Sequence, residues 1–383
     1  MKKTIHTTLL AGLILIGLLA WTLPSEEPWQ EKISPALAQK MRINTQVDFM
    51  VLLNAEADLS NTSAFRSKGE KATYVFNQLR ATADASQAKL LDILTARGIK
   101  YRSFYIVNAI QATGDLELIE ILARQPEVKR IMHNPTFELN HIPEKDIANN
   151  RSVEGIEWGI DMINADDVWS MGYTGQGVVV GGADTGYEWF HPAIKSQYRG
   201  WNGTTADHNY NWHDAIHEIS PLHNDTVIDP SNNPCGLNST TPCDDHNHGT
   251  HTMGTVVGDD GGNNQIGVAP GARWVACRNM ERGYGSPATY IECFEWFLAP
   301  TDTTNQNPDP IKAPHVINNS WSCPEMEGCN PDNWSLMETA VNNLRASGVV
   351  VVVSAGNSGG QGCGSVNTPS AMFENSFTVG STK

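Results

Sequence analysis

The sequence predicts an α/β protein built on a parallel sheet, with a small α+β module in front of it. Four short, apolar-rich runs carry the first part: Gly177 to Ala183 (GVVVGGA), Arg273 to Cys277, His315 to Asn318 and Gly348 to Ala355 (GVVVVVSA). Strands that read this way are buried on both faces. Amphipathic stretches at Ala288 to Leu298 and Trp334 to Ala346 lie between the later runs. Strands alternating with helices place helices on both sides of the sheet, giving three layers. Residues 45–140 carry the second part, with a different rhythm.

In that module Val47 to Leu53 (VDFMVLL) is the first strand. Ser67 with Glu70 three residues on reads as a capping box opening a long helix that ends near Gly98. Tyr101 to Ala112 is extended, as one strand or as two paired ones. Asp115 caps a helix whose Leu118, Ile121 and Leu122 share a face and which Pro126 closes. Val128 to Met132 is the last strand. This order suits a small sheet with helices on one face. Residues 141–152, polar and carrying Pro143 and Asn149-Asn150, read as a linker to a larger domain at 153–383.

Lys2 and Lys3 precede the apolar run Leu9 to Trp21, which is too short for a spanning helix and reads as an export signal. Residues 1–38 are assigned to it, with Ala36-Leu37-Ala38 the small-residue candidate for cleavage. The protein is therefore expected to be secreted, extracellular and free of the membrane once the signal is removed. Seven cysteines lie between Cys235 and Cys363 and none earlier, which after export means disulfides. Near-neighbour pairing gives Cys235 with Cys243, Cys277 with Cys293 and Cys323 with Cys329, leaving Cys363 over. A net charge of −16, with 26 basic against 42 acidic residues, argues against a nucleic-acid partner, because phosphate binding needs clustered Lys and Arg.

Sites in parallel sheets form at the carboxyl ends of strands. The first apolar run delivers Asp184-Thr185-Gly186, a carboxylate aimed at a cleft or, read blandly, a turn cap. Asp244 to His251 holds three histidines and two aspartates, with His248 at the start of a helical segment. A zinc site on His246, His248 and His251 needs convergent ligands, and His-x-x-His is not a common helical pair. A catalytic histidine is the stronger reading, with a solvated polar loop behind it. The last run leads into Asn357, an amide suited to donate into the cleft or to support a glycine-rich turn.

Together, Asp-Thr-Gly, His-Gly-Thr-His and Ala-Gly-Asn in this order resemble the subtilisin family of serine peptidases. His191-Pro192, Gly267-Val-Ala-Pro270 and Val316-Ile-Asn-Asn-Ser320-Trp321 fit the same pattern. The resemblance implies a subtilisin-like fold over about residues 153–383, with a ferredoxin-like inhibitory pro-domain before it. It implies a secreted serine endopeptidase acting on proteins or peptides, with its own pro-domain as intramolecular inhibitor. Asp184 would orient His248, the general base and then acid; Asn357 would stabilise the oxyanion; Ser320, Trp321 and Ser322 would flank a substrate bound as an added strand.

Three departures accompany the likeness. The family's serine stands in a Gly-Thr-Ser-Met-Ala-like segment well after the asparagine, whereas 26 residues follow Asn357 here and none has that context. The serine is expected beyond residue 383, and the chain as written is expected to be inactive. Ala193 follows His191-Pro192 where relatives place an acidic calcium ligand, and the segment Asn263 to Pro270 is short. Calcium is therefore expected to matter less around Ala193 than in relatives; a calcium at an unidentified site stays open, and no other cofactor or metal is implied. An insertion carrying Cys235 and Cys243 separates Asp184 from His248. The competing function is an inactive peptidase-like binding protein, or an inhibitor acting in trans through the pro-domain.

Overall fold

The computed structural model describes residues 29–139, 155–225, 227–323 and 329–381. The apolar run Leu9 to Trp21 and the whole linker at 141–152 lie outside the described residues, as do 140, 153 and 154.

The N-terminal module begins earlier than residue 45. Helix α1 (Pro35–Met41) takes Ser34 as its N-cap and sends Leu37 into the core with no exposure, so Ala36-Leu37-Ala38 lies inside a packed helix. Strand β1 (Val47–Leu53) follows, then the long helix α2 (Lys68–Ala96). Ser67 and Glu70 form the capping box that the sequence announces. The extended stretch resolves into two strands, β2 (Tyr101–Phe104) and β3 (Ala109–Gly114). Helix α3 (Leu116–Ala123), capped by Asp115, and strand β4 (Val128–His133) complete the unit. The sheet order is β2-β3-β1-β4, the arrangement of a βαββαβ motif. Leu37, Phe49, Val51, Leu90, Leu94, Ile119 and Leu122 fill the space between sheet and helices.

After β4 the chain leaves the module as strand β5 (Phe137–Glu138). Strand β6 (Gly155–Ile156) and the short helices α4 (Trp158–Met162) and α5 (Ala165–Ser170) lead into β7 (Val179–Asp184). Helix α6 (Pro192–Lys195) and strand β8 (Trp212–Asp214) lie in the insertion before α7 (His248–Val257). Then come β9 (Asn264–Gln265), β10 (Arg273–Arg278), β11 (Met280–Glu281), β12 (Tyr284–Gly285) and α8 (Pro287–Leu298). Strand β13 (Val316–Asn319), helix α9 (Pro331–Ala346) and strands β14 (Val350–Ser354) and β15 (Phe377–Val379) follow.

Six strands make one sheet in the order β15-β14-β13-β7-β10-β8, and every pairing in it is parallel. The α/β fold class predicted from the apolar runs is therefore the observed one. Its centre is β7, packed so tightly that a methyl on Gly182 would run into Tyr187 and Met253. One face carries Ile291, Phe294, Phe297, Leu336 and Val341; the other carries Tyr187, Tyr198, Trp212 and Trp274 against Met253 and Val257. The three predicted disulfides are present, and Cys363 is free and exposed. Among the described residues no helix is long and apolar enough to cross a membrane.

Candidate active site

Parallel register lines up the ends of three strands. Asn319 of β13 stands level with Ala183 of β7 on one side and Val353 of β14 on the other. The next residues, Asp184, Ser320 and Ser354, therefore reach the carboxyl edge of the sheet side by side. This edge is where a cleft is expected.

Asp184 ends β7 with no solvent exposure. Its Oδ1 accepts from His248 Nδ1 at 2.7 Å and from the Thr185 amide at 2.7 Å, and its Oδ2 accepts from Thr252 Oγ1 at 3.3 Å. A carboxylate is only an acceptor, so the proton of a neutral imidazole lies on Nδ1 and the lone pair on Nε2. His248 opens α7, and its side chain keeps 22% exposure. Among the described residues Asp184 is its one hydrogen-bond partner, so Nε2 is uncommitted. Burial pulls the imidazole pKa down, but the hydrogen bond and charge of Asp184, with the charge of Asp244, outweigh it and the net shift is upward. Such a group accepts a proton readily and has a fixed orientation.

The other predicted residues fall into place unevenly. Asn357 follows β14 at the same sheet edge and is exposed, at the start of a 3-10 turn. Ser320 Oγ accepts from Asn318 Nδ2 at 2.9 Å. Trp321 is only 2% exposed; its indole stacks on Tyr290 with ring centroids 3.9 Å apart. It therefore builds the floor of the site rather than presenting a free face. Ser322 is half-buried. His246 lies against Gly283, and His251 is exposed on α7. The three histidines do not converge, and among the described residues no group of side chains is arranged to hold a metal. Ala193 is buried, and its carbonyl accepts from the Asp259 amide at 2.7 Å.

Sequence reasoning did not foresee how the module meets this region. Strand β5 pairs antiparallel with β12, and the Leu139 amide donates to the Gly283 carbonyl at 2.7 Å. Phe137, 2% exposed, sets its ring edge against Tyr290 at 5.2 Å, above Trp321. Glu295 of α8 accepts from the Tyr105 and Ile106 amides at 2.6 and 2.9 Å. Burial raises its pKa to about 8, against the pull of those two donors. Arg102 meets Glu292 at 2.9 Å, and Glu292 also receives His213 and His217 at 2.9 and 2.7 Å. Burial pushes the Glu292 carboxyl upward, but the two imidazoles and Arg102 prevail and hold it well below the usual range.

A twisted parallel sheet carrying an aspartate–histidine pair at its carboxyl edge defines a hydrolase-like α/β domain. The comparisons make the class specific: the subtilase family, Peptidase S8, matches residues 175–383, more than half of the chain, and the chain belongs to it. It is 34% identical to Bacillopeptidase F of Bacillus subtilis (strain 168), over 94% of this chain and 25% of that protein. It is 24% identical to Subtilisin E of the same organism, over 86% of this chain and 71% of that protein. The chain thus spans about a quarter of Bacillopeptidase F's length. Among solved structures, the epidermin leader peptide processing serine protease of Staphylococcus aureus superposes with a TM-score of 0.57 at 14% identity, covering 88% of this chain and 70% of the other. That likeness shows the fold.

Proposed function

We propose that the chain carries the acid–base machinery and the inhibitory pro-domain of a secreted serine endopeptidase. The observation that carries this is the 2.7 Å bond from His248 Nδ1 to a fully buried Asp184, with Nε2 uncommitted. In this reading Asp184 fixes the tautomer and supports the imidazolium. His248 takes the proton of a serine hydroxyl and returns it to the leaving amine. The hydroxyl comes from a serine in the family's Gly-Thr-Ser context, a segment not among these 383 residues. Asn357 donates to the oxyanion, worth about 3 to 4 kcal/mol at such sites. Proteins or peptides bind as an added strand beside Ser320–Ser322.

The docked β5 strand supports the inhibitor reading of the module. Phe137 and Leu139 lie along β12 as an extended peptide substrate would. The three disulfides support an oxidising, extracellular destination. The packing of Leu37 supports removal of the signal ahead of α1 rather than within it. Calcium, if bound, would not use Ala193, which offers no carboxylate.

The test is kinetic, on the gene product extended through its serine segment. His248→Ala should lower kcat by on the order of 10⁵- to 10⁶-fold and Asp184→Asn by about 10⁴-fold. Peptidase activity undiminished by either substitution would sink the reading.

A further inference from the structure

We propose that Asp244 is the positioning residue that holds His248 against Asp184, an inference that rests on His248 being the base. Helix α7 begins without an ordinary cap: Asn247 is left-handed, φ 68°, and its side chain caps nothing. The orphan amides of a helix start need acceptors. Here they come from outside the helix. Asp244 Oδ2 accepts from the Thr250 amide at 2.9 Å and from Thr250 Oγ1 at 2.6 Å. Its Oδ1 accepts from the His246 and Asn247 amides at 3.1 and 2.9 Å, and from Thr185 Oγ1 at 2.9 Å. Thr185 Oγ1 in turn accepts from the Gly249 amide at 3.0 Å.

These six bonds bracket His248 on both sides. They bind the start of α7 to Thr185, the residue after Asp184, so one carboxylate fixes the base relative to the acid that orients it. The backbone adds to the clamp. Gly186 bridges to Asp244 in antiparallel fashion, and the Tyr187 amide donates to the Cys243 carbonyl at 3.0 Å. Gly186 has φ 115° and a Cβ there would strike that carbonyl, so the approach needs glycine. The Cys235–Cys243 disulfide pins the residue preceding Asp244. Asp244 is 7% exposed, and its charge joins that of Asp184 in raising the His248 pKa.

A purely structural acid would alter stability alone. A positioning acid must also move the chemistry. In the serine-bearing gene product, Asp244→Asn, which keeps one acceptor oxygen where the carboxylate uses two, should lower kcat on the order of 10²-fold, as expected for a misplaced base. KM should stay within about threefold, and the acid limb of the kcat/KM profile should move to lower pH. Thr185→Val, which severs the link without touching a charge, should lower kcat, and Thr185→Ser should restore it. Wild-type kcat and an unmoved acid limb in Asp244→Asn overturn the proposal. If that variant does not fold, an unchanged rate in Thr185→Val overturns it. Undiminished activity in His248→Ala would instead refute the base assignment beneath it.

Discussion

The molecule holds two carboxylate–imidazole clusters that use the same chemistry to opposite ends. At Asp184 a fully buried carboxylate takes one ring through Nδ1, and the 22% exposure of His248 leaves Nε2 to the cleft. At Glu292 a single oxygen takes two rings through their Nε2 atoms, and the second oxygen takes Arg102 of the module. His217 spends its other nitrogen on Asn238. A histidine catalyses through the nitrogen its anchor does not use. The first cluster keeps that nitrogen; in the second both rings are tied to Glu292 inside the larger domain, and Arg102 joins that carboxylate to the module.

The contrast breaks if His217 matters to turnover as His248 does. Against the loss of 10⁵-fold or more expected for His248→Ala, His217→Ala should change kcat less than about tenfold, a barrier change under 1.4 kcal/mol. The measurement is kcat of the serine-bearing gene product of the proposed function. A loss near that of His248→Ala would place the second cluster in the chemistry.

Next in size is the coupling between module and domain. Glu292→Ala removes the shared partner of two imidazoles and a guanidinium and should cost about 3 to 5 kcal/mol. Arg102→Ala severs one ion pair, 24% and 14% exposed on its two sides. It should cost about 1 kcal/mol, since the 24% exposure of Arg102 lets solvent screen the pair in part and Glu292 keeps its two imidazole partners. Urea unfolding of the 383-residue chain checks both. Equal effects would mean that Glu292 does nothing beyond pairing with Arg102.

A smaller effect follows from pH. Burial pulls the His217 pKa down, but its bond to Glu292 and the charge there lift it above the ordinary value. A base raised in the folded state contributes stability that is full below its unfolded pKa, near 6.5, and is lost as pH rises through the raised value. Unfolding free energy of the wild type should therefore fall above pH 6.5 more than that of His217→Gln. Parallel curves would show that the His217–Glu292 bond does not titrate.

Much of this architecture was legible because burial writes itself into local sequence. β7, β10, β13 and β14 fall on the four apolar runs, while α8 and α9 start earlier than periodicity alone suggests. Ser286-Pro287 and Asn330-Pro331 supply cap and first turn there. β8, three residues reading Trp-His-Asp, has no apolar alternation and passed unseen. Asp184 and His248 were visible because each sits where an element ends or begins. The Arg102–Glu292–His213 cluster was not. Its members are 79 to 190 residues apart, and each alone looks like a solvated polar side chain. Asp244 was counted among metal-like acids; four of its five bonds are to donors within six residues, but the one that ties it to the residue after Asp184 comes from Thr185, 59 residues away.

The smallest expected effect concerns His246, which stands two residues from His248 and separates proximity from function. Its backbone amide belongs to the Asp244 clamp, and an alanine there keeps that amide. Its ring lies against Gly283, whose carbonyl receives the Leu139 amide of the docked β5 strand. The side chain therefore borders the strand-binding edge rather than the acid–base pair. His246→Ala should leave kcat within about tenfold, under 1.4 kcal/mol, and act mainly on KM for extended peptides. Steady-state kinetics with a long and a short peptide substrate decides it. A kcat loss comparable to that of His248→Ala would show that the two histidines have been assigned the wrong way round.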